Sequence, residues 1–283
     1  MRSRTVTLPD GTRVPAIGQG TWFMGEDASR RAVEVAALRE GLDLGMSLID
    51  TAEMYADGGA EEVVGEAIAG RRDEVFVVSK VYPHNASARL MPMACEASLR
   101  RLGTDRIDLY LLHWRGDVLL PEVVSAMERL REAGKIRRWG VSNFDTRDMR
   151  ELWRAGGHEC STNQVLYHAA SRGIEYELAP WCRQHGLPVM AYCPLAQAGQ
   201  LRQRLLDHPE VVALAQELNA TPSQIALAWV IRQGDVIAIP KASRVDHVRE
   251  NAATAKVRLT DEHLARLDRV FPPPTAAAPL DVV

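Results

Sequence analysis

Apolar positions along this chain follow two periods in turn. Short, nearly continuous apolar runs occur at PAIGQGT, SLID, EVFVVSK, DLYLLHW, RRWGVSNF, STNQVLY, LPVMAYCP and DVIAIPK. Between them lie stretches whose apolar residues recur at three- and four-residue steps, the spacing of one helical face. PEVVSAMERLREAGK shows the second kind: Val123, Val124, Met127 and Leu130 share a face, Pro121 suits a first helical position, and Gly134 suits the residue past the end. Runs of Val, Ile and Leu without strict alternation suit parallel strands covered on both faces. Ahead of them, RTVTLPDGTRVPAIG reads as a hairpin, with Thr5 and Val6 leading to an Asp10-Gly11 turn and Val14 beginning the return.

Counted from PAIGQGT, eight strand–helix units follow one another without a Pro/Gly/Ser-rich linker. This predicts one domain over residues 1–283, an α/β chain closed into a (β/α)8 TIM barrel rather than an open doubly wound sheet. To it are added the N-terminal β-hairpin and two extra helices, HPEVVALAQEL inside one unit and TDEHLARLDRVF after the eighth. The tail PPPTAAAPLDVV is expected to be irregular.

Composition narrows the class. The chain is 46% apolar and 25% charged with a net charge of −3, and has no basic stripe of the kind that binds nucleic acid. No run approaches the ~18 apolar residues of a membrane span, and the polar start does not resemble a signal peptide. Cys95, Cys160, Cys182 and Cys193 are scattered without paired spacing, which predicts free thiols and a cytoplasmic location.

In such a barrel the chemistry sits at the C-terminal ends of the strands. There the sequence places Asp50 after SLI, Lys80 after VFVVS, His113 after DLYLL, Ser142 and Asn143 after RRWGV, Gln164 after STN, and Lys241 after VIAIP. Each alone has a structural explanation, as a cap or a satisfied core histidine. Together they converge, because Asp50, Lys80 and His113 come from consecutive strands. Burying Asp50 or Lys80 unpaired costs several kcal/mol, roughly, so the two should pair. Tyr55 lies on the loop just after Asp50. An adjacent ammonium is expected to lower its pKa, with His113 orienting the reacting group, so that the set builds a proton donor.

LIDTAEMY, VVSK and LLHW, which carry these four residues, resemble the catalytic tetrad of the aldo-keto reductases, and the resemblance runs from the hairpin and GQGTW to IPKASRVDHVREN. It implies an oxidoreductase acting on CH–OH donors that reduces aldehydes, methylglyoxal and similar small carbonyls, with NADPH extended across the rim and Tyr55 as general acid. It further implies that Thr21, Trp22 and Asp50 border the cofactor and that Ser142, Asn143 and Gln164 hold its carboxamide. Tyr192 would stack on the nicotinamide. Lys241, Ser243 and Arg244 would take the phosphates, and Glu250 and Asn251 the adenine. Trp22, Tyr82, His113 and Trp114 would wall the substrate pocket. It implies a monomer, with no metal, nucleic acid or membrane partner.

Two departures stand out. His247 replaces an arginine common in that family, which leaves NADH possible beside NADPH. The short WRGDVLLP connection and short tail suggest an open pocket. GQGTWFMG contains Gly18 and Gly20 but has Phe23 at the third glycine position, so the Rossmann fingerprint is absent. The alternative is a regulatory subunit that binds NADPH with little turnover.

Overall fold

The computed structural model describes residues 4–197 and 199–283. Strands β1 (Thr5–Thr7) and β2 (Arg13–Pro15) form the hairpin, with Val6 opposite Val14 and Gly11 at φ +86° in the turn. Eight parallel strands follow: β3 (Gln19–Gly20), β4 (Leu48–Asp50), β5 (Phe76–Val81), β6 (Leu109–Leu112), β7 (Trp139–Ser142), β8 (Cys160–Leu166), β9 (Val189–Tyr192) and β10 (Val236–Ala238). Each pairs with its neighbour in sequence.

The sheet then closes on itself. Ile17 bridges Ala238 and Gly20 bridges Lys241. The Gly18 N–H donates to Ala238 O at 2.8 Å and the Gly20 N–H to Pro240 O at 3.1 Å. The two glycines of GQGTW make room on either side of the first strand: a Cβ on Gly20 would stand 2.7 Å from Ile239 O across this seam, and one on Gly18 would stand 2.7 Å from the Leu48 side chain of β4. They permit close backbone approach in a barrel wall.

β6, β7 and β8 are buried along their whole length, as their continuous apolar runs require. Helices cover their outer faces. In α4 (Leu120–Glu132), Val123, Val124, Met127 and Leu130 are buried, Pro121 lies in the first turn, and Gly134 follows the end at φ +73°. Each such side chain withdrawn from water contributes roughly 1.5–3 kcal/mol.

The extra helices number three among the described residues, one more than the sequence pattern gives. α7 (Gln200–Leu206) and α8 (Pro209–Glu217) both lie between β9 and α9 (Pro222–Val230). In α7 only Leu205 is buried, so it has no apolar stripe to betray it. The third, α11 (Asp261–Val270), opens on a Thr260–His263 capping box. It packs on α8 through Arg266–Glu210, Arg266–Glu217 and His263–Glu217 pairs. The tail after Phe271 forms no helix or strand, but it returns to the barrel: Ser171 Oγ donates to Asp281 Oδ2 at 2.5 Å.

Candidate active site

Asp50 ends β4, Lys80 lies near the end of β5, and His113 follows β6, so successive strands deliver three polar side chains to one rim. Lys80 Nζ makes three contacts, 2.8 Å to Asp50 Oδ2, 2.8 Å to Thr51 O and 3.2 Å to Tyr55 Oη. An ammonium has three donors, and here all three are used. The other Asp50 oxygen accepts from Gln164 Nε2 at 2.8 Å. Lys80 is wholly buried, so these contacts replace its hydration. Burial drives Asp50 up and Lys80 down, and their mutual attraction opposes both shifts.

Tyr55 starts a short turn, Tyr55–Gly58, in which Ala56 and Asp57 adopt left-handed φ of 50° and 51°. Its ring meets that of His113 edge-on at 5.9 Å. The expected acidification of the phenol is reversed. Burial, aided by the Asp50 charge, pushes the Tyr55 hydroxyl well above 10, so it remains protonated throughout the neutral range. This does not disqualify it as an acid, because an alkoxide is far more basic than any phenolate. Lys80, already in contact with the oxygen, is placed to stabilise the phenolate as it forms. His113 is held neutral, its pKa pushed down to about 2 by burial and by Lys80.

These groups open onto a cleft of about 510 Å³. Thr21, Trp22, Asp50, Tyr55, His113, Trp114, Ser142, Asn143, Gln164, Tyr192 and Lys241 all line it. The amide set is mutually ordered: Ser142 Oγ donates to Gln164 O at 2.8 Å, Asn143 Nδ2 to His113 O at 3.1 Å, and Tyr192 Oη to Asn143 Oδ1 at 2.9 Å. Thr21 Oγ1 donates to Asp50 O at 3.0 Å, tying β3 to β4 beneath the rim.

Other expected residues adjoin the cleft or its neighbourhood without lining it. Tyr82 is outside the lining and packs edge-on against Trp114, ring centroids 5.8 Å apart, its backbone N–H held by Glu53 Oε1 at 2.6 Å. Ser243, Arg244, Glu250 and Asn251 also lie beyond the lining. Ser243 Oγ accepts from Lys241 Nζ at 3.4 Å and from Arg30 Nη2 at 3.1 Å, which brings in a second cation that the sequence did not suggest. Arg244 is taken up by Asp246 at 2.5 Å. The Glu250 carboxylate accepts from Thr221 Oγ1, and Asn251 is buried in α10 (Val245–Ala253). His247 is exposed on the same helix.

The sequence reading missed Phe23, Met54, Arg202 and Val283, along with the 193–197 loop. Val283 brings the tail to the cleft, so the tail helps bound a pocket that was expected to be open. One signal links several of these residues. Of the non-glycine residues described at positive φ, Phe23, Asn143, Cys193 and Ala196 line the cleft, and Ala56 and Asp57 adjoin Tyr55. Backbone in this region costs about 1–3 kcal/mol per residue and is typical of functional sites.

Comparison with known proteins agrees with this geometry. The family model described as Aldo/keto reductase family matches residues 16–271. The protein named methylglyoxal reductase YeaE of Escherichia coli is 57% identical over 284 residues, covering 100% of both chains. A glyoxal reductase of Bacillus subtilis is 33% identical over 267 residues, 93% of this chain and 91% of its own. The crystal structure of an aldo/keto reductase from Klebsiella pneumoniae with NADP and acetate superimposes with a TM-score of 0.97 at 60% identity, covering 100% of each chain.

Proposed function

The chain belongs to the aldo/keto reductase family, and from that premise we propose that it reduces methylglyoxal and similar small aldehydes to alcohols, with NADPH as reductant. The observation that carries this reading is the Lys80 ammonium shared between Asp50 and the Tyr55 hydroxyl on the wall of a cleft. NADPH, when bound, supplies the hydride that reduces the carbonyl carbon.

The residues present fit such a cofactor. Ser142, Asn143 and Gln164 offer a hydroxyl and two amides beside Tyr192, suited to a carboxamide and an aromatic ring, and Lys241 stands in the same cleft for a phosphate. Arg30 and Ser243 next to Lys241 extend that cationic end. The occupied Arg244 and the exposed His247 weaken discrimination by the 2′-phosphate, so NADPH is preferred but NADH is accepted poorly rather than refused.

The chain's own part is proton delivery and positioning. His113, neutral at every working pH, donates a hydrogen bond to the substrate oxygen and fixes its direction. Tyr55 gives that oxygen its proton as charge develops, and Lys80, anchored by Asp50, stabilises the phenolate left behind. Trp22, Phe23 and Trp114 exclude water around a small substrate.

The test is a matrix of initial rates with NADPH and NADH against methylglyoxal, glyoxal and larger aldehydes. Turnover is expected with the dicarbonyls, faster with NADPH. Tight NADPH binding without turnover on any aldehyde would replace this reading with that of a cofactor-binding regulatory protein.

A further inference from the structure

β8 carries two amides side by side, Asn163 and Gln164. Neighbouring residues on a strand point to opposite faces. Gln164 reaches into the bore to meet Asp50, so Asn163 turns to the outer side of the sheet. It is wholly buried there, and no step of the carbonyl chemistry uses it.

A buried amide needs partners for both its ends. Both ends of Asn163 go to one residue: Nδ2 donates to Phe144 O at 2.7 Å, and Oδ1 accepts from the Phe144 N–H at 3.5 Å. The reason lies in how β7 ends. Its pairing with β8 sets Val141 beside Asn163 and Ser142 beside Gln164, and the Asn143 N–H still donates to Gln164 O at 2.9 Å. Asn143 then turns left-handed, at φ +58°, and takes the chain out of the ladder. Phe144 follows, just before Asp145 caps α5 (Thr146–Arg154). Its N–H and C=O have no other hydrogen-bond partner among the described residues. The Asn163 side chain supplies the bonds that a longer ladder would have made.

Asn143 is thereby fixed from two directions. On the cleft side its Nδ2 donates to His113 O at 3.1 Å and to Ser142 Oγ at 3.3 Å, and its Oδ1 accepts from Tyr192 Oη at 2.9 Å. On the other side the Phe144 N–H belongs to the peptide plane that rotation about the Asn143 Cα–C bond would swing, and Asn163 holds that plane. We propose that Asn163 is a positioning residue for the cofactor: by gripping Phe144 it fixes the left-handed turn at Asn143 and so aims the Asn143 amide at the nicotinamide carboxamide. This rests on the reading of the cleft as an NADPH site. The task needs a donor and an acceptor on one short side chain, which aspartate and leucine do not offer.

The test separates the two ends of the cofactor. Adenosine 2′,5′-bisphosphate carries the adenine and phosphate end of NADPH without the nicotinamide. In titrations of the full chain, Asn163→Leu should weaken NADPH binding about tenfold, the worth of one hydrogen bond to the carboxamide, and should leave the affinity for the bisphosphate unchanged. Thr162→Val is the control for lost stability alone. Thr162 is equally buried on β8, and its hydroxyl donates to Pro188 O at 2.8 Å without touching the β7 turn. That variant should bind both ligands as the unmodified chain does. If Asn163→Leu does not fold, Asn163→Ser, too short to reach both Phe144 groups, is measured in its place. Undiminished NADPH affinity in the folded variant, equal loss of both ligands, or the same split in Thr162→Val would each overturn the role of Asn163. If the unmodified chain fails to bind NADPH, the reading of the cleft falls and this role with it; if it binds NADPH and the variant binds as well, only the role of Asn163 falls.

Discussion

Asp50 and Gln164 stand on strands four places apart in an eight-stranded ring, on opposite sides of the barrel, and still meet at 2.8 Å. The carboxylate can only accept, so the Gln164 amide must turn its nitrogen toward Asp50 and its oxygen away. One contact across the bore thus ties the group that anchors Lys80 to the amide proposed to hold the cofactor.

Gln164→Leu should therefore damage chemistry as well as binding. A hydrogen bond to a charged group is worth about 1.5–3 kcal/mol, so kcat/KM for methylglyoxal should fall by roughly 10- to 100-fold. Gln164→Glu, which sets a second carboxylate beside Asp50, should fall further. Steady-state kinetics on both variants check this, and wild-type rates in Gln164→Glu would rule it out.

Tyr55→Phe removes the proton donor while keeping the ring against His113 and Trp22. Turnover should drop by about 10²–10⁴-fold, the usual worth of a positioned general acid. NADPH affinity, followed by fluorescence titration, should be retained. An active Tyr55→Phe enzyme would move the acid elsewhere.

Asp50→Asn leaves the buried Lys80 without its counter-charge. Stripping one partner from a buried pair costs about 3–5 kcal/mol, and replacing both with neutral groups costs much less. Urea unfolding should accordingly rank Asp50→Asn below the double variant Asp50→Asn/Lys80→Met. The reverse order would show that the pair is not the buried ion pair its geometry describes.

The pH dependence has two parts. His113 is held at about 2 and His168 at about 4, both chiefly by burial. Each lies below the ~6.5 of an unfolded histidine, so the unfolded chain binds the proton first. Their stabilisation is complete above that value and is lost as pH falls through the window toward 4 for His168 and 2 for His113. Each withdraws up to about 1.4 kcal/mol per pH unit there. Urea midpoints measured from pH 7 to pH 5 should fall, and His168→Gln should flatten the slope. For catalysis, the reduction rate should show no inflection near the ordinary histidine value, because His113 does not titrate there.

Lys241→Ala tests the cationic end of the cleft. KM for NADPH should rise at least tenfold, roughly one charge-assisted contact, with little change in kcat or in KM for NADH. Equal effects on the two cofactors would assign Lys241 to the shared pyrophosphate and leave discrimination to Arg30.

The barrel and its rim were largely legible in the sequence because parallel strands buried on both faces must be apolar until they reach the rim. A polar residue ending such a run, like Asp50 or His113, therefore announces itself. α7 was not legible, since QLRQRLL buries only Leu205. Nor were Phe23 and Ala196, whose place at the cleft follows from left-handed backbone that side-chain pattern does not encode. The resemblance puts Tyr82 in the pocket wall, yet it is not among the residues lining the cleft: the Glu53 carboxylate holds its backbone N–H and its ring packs edge-on against Trp114. The phenol's pKa went the wrong way because a sequence reveals which charges are neighbours but not how much water they lose. Arg30 was invisible because it reaches Ser243 from 213 positions away.

The seam where Gly18 and Gly20 meet Ala238 and Pro240 has a consequence for how the molecule comes apart. Lys241 is the very next residue, so whatever grips Lys241 also clamps the first strand of the cylinder to the last. A tightly held dinucleotide would act as a rivet across that joint. Fraying should then begin at the hairpin side in the empty protein and be suppressed in proportion to cofactor occupancy.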